Sequence, residues 1–559
     1  MSNIQIVIPM SGFGERFRKV GYKVPKPLIE IDGKPVIAHV IDMFPGEYDF
    51  LFICNNDHLA KTDYRLAEIL KQYCPTGRVV GIPPHKLGPI HAVRLVENMI
   101  DPNRPVVVNY CDFTCYWDWR HFKELVTISQ CEGAIPAYKG FHPHTLGCTN
   151  YAYMREEDGW VLDIQEKQPY TDNRMQEYAS SGTYYFATGK IMSDAFYITM
   201  EQGINVGGEY YVSLAYKPLL ARHRSVAVYP LQHFMQWGTP DDVAEYIGWS
   251  STFRRMVEPL PQATKAIGSL VVPMAGLGQR FANEGYTVTK PLIPVSGKTM
   301  VMQAVNDLPP AKHHVFVLRS DMAGYEDISN TLKNTYSDSV IETLSVVTEG
   351  QACTALLGLD TLARKLGNVP GPITFGACDN GVLYDHSIFQ ALTENPEVDI
   401  IVWGACGHAN AIRHPQMYGW IDAVNGMIRS ISVKTPLSSP TTDPIVLGTF
   451  TFQRAEDFRK VVDHLIARDG RINGEYYIDS CINDAIELGL DCRLFKVDSF
   501  LSWGTPNDLR TFEYWQSCFH KWTGHPYRLE LDGHIPHQEV RELEIRYQAV
   551  VPALPELLP

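Results

Sequence analysis

The chain has 559 residues, of which 45% are hydrophobic and 20% charged, and its formal net charge is −14 at pH 7. This composition is typical of a soluble globular protein and argues against a nucleic-acid or anionic-membrane partner. No apolar run approaches the ~20 residues of a membrane span, and the N-terminal sequence lacks the features of a signal peptide. We therefore expect a cytoplasmic protein without membrane insertion, and we leave a homo-oligomer open.

The first half of the chain alternates between short apolar runs and helical patterns. Residues 4–9 predict a buried strand, a glycine-rich loop follows, and residues 35–44 predict a helix. The strand FLFIC follows, and DHLAKTDYRLAEILKQY predicts a helix over residues 57–73. RVVGI, HAVRLVENMI and PVVVNY then repeat the alternation. It indicates βαβ units and a mostly parallel sheet. After about residue 140 the pattern favours strands, which predicts an antiparallel insertion over one end of the sheet.

The second half repeats the first. Residues 7–34, VIPMSGFGERFRKVGYKVPKPLIEIDGK, match residues 271–298, VVPMAGLGQRFANEGYTVTKPLIPVSGK, without a gap. Further matches follow in the same order: VVVNYCDF with ITFGACDN, SGTYYF with LGTFTF, GGEYYVS with NGEYYID, and QWGTPDD with SWGTPND. The repeat predicts two domains, at 1–257 and 268–525. Residues 258–267 form the predicted linker and residues 526–559 a C-terminal tail of unassigned role.

The loop after the first strand of each half has the composition of a phosphate-binding site. Glycines let the backbone N–H groups approach an anion, an arginine offers a planar fork, and a lysine adds a compact positive charge. In the first half these residues are Gly12, Gly14, Arg16 and Lys26, and in the second half Gly276, Gly278, Arg280 and Lys290. The loop is neither a P-loop nor a dinucleotide fingerprint. Two cations and a cluster of N–H groups suit a nucleoside triphosphate.

The string GxGxRF followed by PKPLI resembles the sugar-phosphate nucleotidyltransferases, in the branch found with capsule and surface-polysaccharide genes. The resemblance covers roughly residues 3–250 and 268–515. It implies two tandem Rossmann-like α/β domains of the GT-A-like type, each a mostly parallel mixed sheet flanked by helices. The implied reaction joins a nucleoside triphosphate and a sugar 1-phosphate, gives an NDP-sugar and pyrophosphate, and uses Mg²⁺.

The resemblance also implies roles for particular residues. Asp112 and Asp379 match the aspartate that holds Mg²⁺. Gly88, Gly350 and Gln351 match positions that contact the base. Glu166 and Lys167 match a Glu-Lys pair that contacts the sugar and its phosphate, with Lys434 at the second position in the other half. The sugar-side glycine is matched by Gly182 and Gly448.

Two departures from the family pattern affect these roles. A second metal-binding aspartate is replaced by Gln236 and Ser502, so Glu209 and Glu475 are the carboxylates to test instead. Val433 stands where the first half has Glu166, so the second half has either a different acceptor or no catalysis. Two active sites, activity in one half alone, and an inert nucleotide-binding scaffold all remain open.

Other classes are weaker alternatives. Glycosyltransferases of the GT-A type share the sheet but usually carry a DxD motif, which neither DFT at 112–114 nor DNG at 379–381 provides. Twelve cysteines without a CxxC pair do not predict a zinc site. His142 and His144 are interpreted as part of a substrate loop rather than as metal ligands.

Overall fold

The computed structural model describes residues 4–147, 150–258 and 265–550, with the side chains of 548–550 excepted. The chain divides into two compact units. The first comprises Met1–Ser251, Ser517–His525 and Glu544–Pro559, and the second comprises Thr252–Gln516 and Pro526–Leu543. Most of the predicted linker, residues 259–264, lies outside the described residues, as does the end of the tail. The segment 526–543, which the sequence left unassigned, contributes to the second unit.

The strands of the first unit are β1 (Gln5–Met10), β2 (Glu30–Ile31), β3 (Lys34–Pro35), β4 (Phe50–Asn55), β5 (Arg78–Ile82), β6 (Val106–Asn109), β7 (Phe113–Tyr116), β8 (Gly133–Tyr138), β9 (Ala152–Glu157), β10 (Trp160–Glu166), β11 (Tyr178–Ser180), β12 (Thr183–Phe186), β13 (Val226–Pro230) and β14 (His233–Gln236). Its helices are α1 (Glu15–Lys19), α2 (Val36–Asp42), α3 (Asn56–Ala60), α4 (Leu66–Tyr73), α5 (Pro89–Arg94), α6 (Trp119–Ser129), α7 (Gly189–Glu201), α8 (Tyr216–Leu220) and α9 (Pro240–Met256), the last of which continues beyond Ser251. Short 3₁₀ turns cover Lys26–Leu28, Thr62–Tyr64, Glu97–Met99, Pro143–Leu146, Arg174–Gln176 and Val212–Ala215.

The main sheet of the first unit has the strand order β11-β9-β10-β13-β8-β12-β6-β1-β4-β5. At one end β6, β1, β4 and β5 are parallel neighbours, and β1 is buried along its whole length. Beyond β6, β12 runs antiparallel to both of its neighbours. The sheet is therefore mixed. The antiparallel strands were predicted to lie over one end of the sheet, but they are part of the main sheet itself.

The second unit has the strands β15 (Ser269–Pro273), β16 (Pro294–Val295), β17 (Lys298–Thr299), β18 (His313–Arg319), β19 (Val340–Leu344), β20 (Ile373–Phe375), β21 (Asn380–Leu383), β22 (Ile400–Ala405), β23 (Gly419–Val424), β24 (Met427–Val433), β25 (Ile445–Phe452), β26 (Cys492–Lys496) and β27 (Ser499–Ser502). The helices of the second half of the chain are α10 (Gln279–Asn283), α11 (Met300–Asn306), α12 (Tyr325–Thr335), α13 (Gln351–Leu366), α14 (His386–Glu394), α15 (Ala409–Arg413), α16 (Ala455–Ala467), α17 (Ile478–Glu487), α18 (Pro506–Lys521) and α19 (Val540–Val550). Its 3₁₀ turns cover Lys290–Leu292, Pro415–Met417, Leu529–Leu531 and His537–Glu539.

The second sheet has the order β19-β18-β15-β20-β25-β22-β26-β24-β23 and repeats the plan of the first. Its parallel section is β19, β18, β15 and β20, and β25 runs antiparallel beside β20. Each sheet has a buried apolar core against its helices: Val7, Ile53 and Val108 belong to the first core, and Val271, Val317 and Phe375 to the second. In each unit the glycine loop follows the central parallel strand, at the carboxyl edge where such sheets bind ligands.

Candidate active site

The glycine loop opens the site in both units. Gly14 precedes α1 with φ 63°, and Gly278 precedes α10 with φ 62°. This left-handed conformation favours glycine because a side chain would be strained there. A Cβ added at Gly12 or Gly276 would meet nothing within 4 Å. The chain itself therefore leaves open the space beside these two glycines, where a phosphate group could approach the backbone.

The predicted lysine and aspartate meet in both units. Lys26 Nζ lies 2.7 Å from Asp112 Oδ2, and Lys290 forms the same ion pair with Asp379. Burial is the largest influence on the pKa of Lys26 and lowers it, but the attraction of Asp112 and then Cys111 exceeds that effect. The pKa of Lys26 is consequently raised, and the same balance raises the pKa of Lys290. Both lysines are cations beside a partly buried carboxylate.

The WGTP segments pass directly behind these aspartates. The Trp237 N–H donates a hydrogen bond to the Asp112 carbonyl at 2.9 Å, and Trp503 does the same for Asp379. Gln236 is the last residue of β14. It lies opposite Phe113, the first residue of β7 and the residue that follows Asp112 in the chain. A Cβ placed on Gly238 would lie 2.6 Å from Gln236 Nε2 and 3.3 Å from Asp112 Oδ2. The Gln236 amide therefore lies close to the Asp112 carboxylate, and Ser502 holds the corresponding place near Asp379.

These groups fit a magnesium ion held together with a triphosphate. Mg²⁺ usually takes one or two protein carboxylates and completes its shell with water and phosphate oxygens. Asp112 would supply one carboxylate, and Asp379 would do so in the second unit, with the Ser502 hydroxyl nearby. The Gln236 atom beside Gly238 is the amide nitrogen Nε2, so this side chain would offer its oxygen to a metal ion only with the amide turned over. The substitutes Glu209 and Glu475 stay predictions. Glu209 is exposed and accepts a hydrogen bond from the Tyr211 hydroxyl at 3.2 Å.

The glycines predicted to contact the base have a close neighbour in the GEYY segment. A Cβ on Gly88 would lie 2.7 Å from the Tyr210 nitrogen, and one on Gly350 would lie 2.5 Å from the Tyr476 nitrogen. The two segments are joined by hydrogen bonds from Tyr210 N–H to the Leu87 carbonyl and from Ile90 N–H to the Tyr210 carbonyl. Gly350 precedes α13, whose first residue is Gln351. Close backbone packing thus explains why glycine stands at both positions.

The residues predicted to contact the acceptor in the first unit make two separate side-chain hydrogen bonds. Lys167 Nζ donates to the Tyr211 hydroxyl at 2.5 Å, and the Ser213 hydroxyl donates to Glu166 Oε2 at 2.6 Å. Burial raises the pKa of Glu166 against the opposing effects of Ser213 and Lys167. The charge of Arg16 acts on both Lys26 and Tyr211. Arg16 is therefore near enough to both residues for its charge to act on them.

In the second unit Lys434 keeps the backbone geometry of its counterpart. Lys167 and Lys434 both have φ 61°, and their N–H groups donate to the carbonyls of Tyr151 and Tyr418 at 2.8 and 3.0 Å. A left-handed conformation at a non-glycine residue is uncommon and is concentrated at functional sites. Lys434 Nζ donates to the Met417 carbonyl at 2.6 Å, and Arg280 exerts its charge on both Lys434 and Lys290.

The glycines predicted for the sugar side mark a difference between the units. Gly182, with φ 99°, packs against the ring of Tyr110, whose hydroxyl accepts a hydrogen bond from the Val212 N–H at 3.2 Å. Gly448, with φ 71°, has Ala377 as its neighbour. The first unit thus has an aromatic wall where the second has a methyl group.

Two residues that the sequence did not single out support the glycine loops. Arg319, at the end of β18, is 6% exposed and donates through Nη1 to the carbonyls of Ala275 and Gly276 at 2.6 and 3.0 Å. Asn55, at the end of β4, donates to the Ser11 carbonyl at 3.3 Å. His142 and His144, by contrast, pack around the Tyr138 ring.

Parts of the chain are similar to known proteins. Residues 6–205 match the family model described as Nucleotidyl transferase. The chain is 26% identical over 194 residues to the mannose-1-phosphate guanylyltransferase catalytic subunit beta of Dictyostelium discoideum, covering 33% of this chain and 49% of that protein. It is 29% identical over 150 residues to the mannose-1-phosphate guanyltransferase of Neurospora crassa, covering 26% and 40%. The matches thus span less than half the length of these relatives.

Among solved structures, the nucleoside-diphosphate-sugar pyrophosphorylase of Vibrio cholerae matches with a TM-score of 0.37 and 23% identity, covering 44% of this chain and 98% of that one. The family match and the curated relatives support a nucleotidyltransferase, and the match lies within the first unit. Among the described residues, no helix combines the length and apolar character that crossing a membrane requires.

Proposed function

We propose that the chain is a sugar-phosphate nucleotidyltransferase that joins a nucleoside triphosphate to a sugar 1-phosphate and releases pyrophosphate. The observation that carries the proposal is the ion pair of Lys26 with Asp112 beside a glycine loop, repeated as Lys290 with Asp379. The matched family model, over residues 6–205, supports this class of reaction for the first unit, and the similarity to mannose-1-phosphate guanylyltransferases supports it for the chain. The link to capsule or surface polysaccharide rests on the sequence resemblance alone.

The chemistry needs no general base, because the phosphate oxygen of the sugar 1-phosphate is already an anionic nucleophile. It forms a new bond to the α-phosphorus while the bond from that phosphorus to the β-phosphate oxygen breaks, and the bonding pair leaves with pyrophosphate. The barrier comes mostly from the repulsion between the two anions and from the need to align the attacking and leaving oxygens. A divalent cation on Asp112 would supply charge neutralisation at the reacting phosphates.

Different residues of the first unit bind the triphosphate and the acceptor. Lys26 and Arg16 bind the phosphates on the leaving side, since both border the glycine loop. Lys167 binds the phosphate of the acceptor, and the carboxylate of Glu166 accepts hydrogen bonds from its hydroxyl groups. In the second unit Lys290, Arg280 and Lys434 take the corresponding roles. We propose that both units are catalytic and that they differ in their acceptor.

The test is a grid of nucleoside triphosphates against sugar 1-phosphates with Mg²⁺, read by pyrophosphate release. It compares the wild-type chain with Lys26→Ala, Lys290→Ala and the double variant. We expect each single variant to lose one set of substrates by about 100-fold, the scale of losing one preorganised charge. The surface lysines Lys190 and Lys365, which are exposed, give matched alanine controls.

Full activity in the double variant would contradict the assignment of the lysines. Transfer of sugar from an NDP-sugar without pyrophosphate release would favour a glycosyltransferase. Triphosphate binding without turnover of any acceptor would favour an inert scaffold.

A further inference from the structure

The position of Glu166 in the first sheet has a direct counterpart in the second. Glu166 ends β10 and lies opposite Ala152 on β9, while Val433 ends β24 and lies opposite Gly419 on β23. Each is followed by a lysine with φ 61°, Lys167 or Lys434. The second unit therefore keeps the frame of the acceptor site but has an apolar side chain where the first unit has a carboxylate.

A different carboxylate lies beside this frame in the second unit. The matched motifs GGEYYVS and NGEYYID place Asp479 at the position of Ser213, the residue that hydrogen-bonds to Glu166. Asp479 Oδ2 lies so close to Gly419 that a Cβ added to this glycine would collide with it. In the first unit alanine stands at the same sheet position, and a serine stands at the position that corresponds to Asp479. Three substitutions thus occur together: Ala152 corresponds to Gly419, Glu166 to Val433 and Ser213 to Asp479.

The surroundings of Asp479 suit a group that binds acceptor hydroxyls. It lies in the first turn of α17, where the helix dipole favours a negative charge. Burial is the largest influence on its carboxyl group and raises its pKa to about 6, although the positive charge of Lys434 opposes this effect. A buried carboxylate gains free energy when hydroxyl groups donate hydrogen bonds to it.

The predicted sugar-side glycine also has a smaller neighbour in the second unit than in the first. In the first unit the Tyr110 ring packs on Gly182 and its hydroxyl accepts a hydrogen bond from Val212. Ala377 occupies the corresponding place beside Gly448. The aromatic side chain is therefore replaced by a methyl group while the carboxylate changes its position. Both changes alter which hydroxyl of an acceptor can be bound.

We propose that Asp479 is the acceptor-binding carboxylate of the second unit and replaces Glu166 there. Together with Lys434 it binds a phosphate monoester that carries hydroxyl groups. This inference rests on the proposed function, and it deepens the assignment of the second unit.

The experiment uses the full chain with Lys26→Ala and Lys167→Ala, which removes the triphosphate and acceptor lysines of the first unit. In this background Asp479→Asn should raise the KM and the dissociation constant for the sugar 1-phosphate by about 10- to 100-fold, the range expected for hydrogen bonds to a charged group. The KM for the triphosphate should stay within about twofold. Asp463→Asn, an exposed change on α16, is the matched control.

A rescue variant separates binding from a structural role. Asp479→Ser alone should lose the acceptor, whereas Asp479→Ser with Val433→Glu and Gly419→Ala rebuilds the arrangement of the first unit. We expect the triple change to restore acceptor binding and to shift its preference toward the acceptors of the first unit.

The outcomes are distinct from those of the proposed function. An acceptor KM or dissociation constant that Asp479→Asn leaves within twofold would overturn this inference, even if pyrophosphate is released. No pyrophosphate release from the wild-type chain with any acceptor would contradict the proposed function itself. Calorimetric binding of the acceptor provides the same comparison if the second unit turns over slowly.

Discussion

The Gly350 Cα lies against the backbone of Tyr476, so closely that an added Cβ would be 2.5 Å from the Tyr476 nitrogen. The Tyr476 N–H also donates to the Glu349 carbonyl at 2.8 Å, and the Ala352 N–H donates to the Tyr476 carbonyl at 3.0 Å. This contact joins the start of α13 to the GEYY segment. It connects the predicted base-contacting residues to those on the acceptor side.

Gly350→Ala should therefore separate these two segments. We expect a loss of stability of about 1–3 kcal/mol from overpacking, and weaker triphosphate binding by the second unit. The thermal unfolding midpoint and a binding titration in the Lys26→Ala background would measure both. Gly489→Ala is the control, because Gly489 also has a positive φ but has nothing within 4 Å of its Cβ position. Equal losses in the two variants would show that backbone strain, rather than the contact, is responsible.

The Mg²⁺ concentration that the first unit needs for activity should depend on the Asp112 carboxylate. In the Lys290→Ala background, Asp112→Asn should raise the Mg²⁺ concentration for half-maximal rate by about 10-fold or more, a scale seen when a metal site loses supporting interactions. Gln236→Asp should lower it, because a second carboxylate would stand beside the first. Pyrophosphate release against Mg²⁺ concentration measures both changes, with the exposed Asp194→Asn as control. An unchanged Mg²⁺ dependence in Asp112→Asn would remove this residue from the metal site.

Arg319 should matter for triphosphate binding although it does not belong to the loop. Arg319→Ala deprives the Ala275 and Gly276 carbonyls of their donor, and hydrogen bonds to charged groups contribute about 1.5–3 kcal/mol. We expect triphosphate affinity in the second unit to fall about 10-fold or more while the first unit is unaffected. Separate titrations in the Lys26→Ala and Lys290→Ala backgrounds would show this selectivity. A loss shared by both units would indicate general destabilisation instead.

The stability of the second unit should depend on the protonation of His534. Burial is the largest influence on the pKa of His534 and lowers it, but a hydrogen bond from His534 Nδ1 to Asp532 and the charge of Asp307 exceed that effect, against Lys298. The pKa is thus raised on folding. The stabilisation is fully present below the ordinary histidine pKa of about 6.5 and is lost as the pH rises through the raised value.

His534→Gln should therefore lower the unfolding midpoint most at pH 5.5–6 and progressively less at higher pH. Thermal unfolding of both proteins across this range measures the difference, and an NMR titration of the His534 ring gives its pKa directly. A difference that grows with pH would contradict the assigned sign. His313, the first residue of β18, can be changed to Gln as a control.

The sequence predicted the parts of the site that repeat. Both glycine loops and the matched positions of Lys167 and Lys434 follow from the repeated motifs, because like sequences at like positions fold alike. The ion pairs of Lys26 with Asp112 and of Lys290 with Asp379 were not predicted, since the partners are far apart in the sequence. The helix predicted across residues 57–73 was wrong in detail, since Arg65 adopts φ 47° and separates α3 from α4. The order of the strands beyond β6 could not be predicted either, because a pattern of apolar and polar residues indicates a strand but not the strands beside it in the sheet.

The features that the sequence missed are those in which the halves differ. Arg319 and Asn55 support equivalent loops with unlike side chains, so no motif connects them. The loss of Glu166 at Val433 was visible, but the compensating Asp479 was not. Its nearness to Gly419 depends on strand register and on the path of the GEYY segment, neither of which can be deduced from spacing.

The first unit includes a segment from the far end of the chain, which limits how the chain can be divided for experiments. Ser517–His525 belongs to that unit, where the Phe519 ring packs at 5.6 Å on Tyr246 and His525 contacts Ser250. A fragment ended at the repeat boundary near residue 257 would lack these partners and expose a buried tyrosine to water. Proteolytic or genetic separation of the halves would therefore confuse misfolding with inactivity. Point substitutions in the intact polypeptide are the sounder way to assign work to each half.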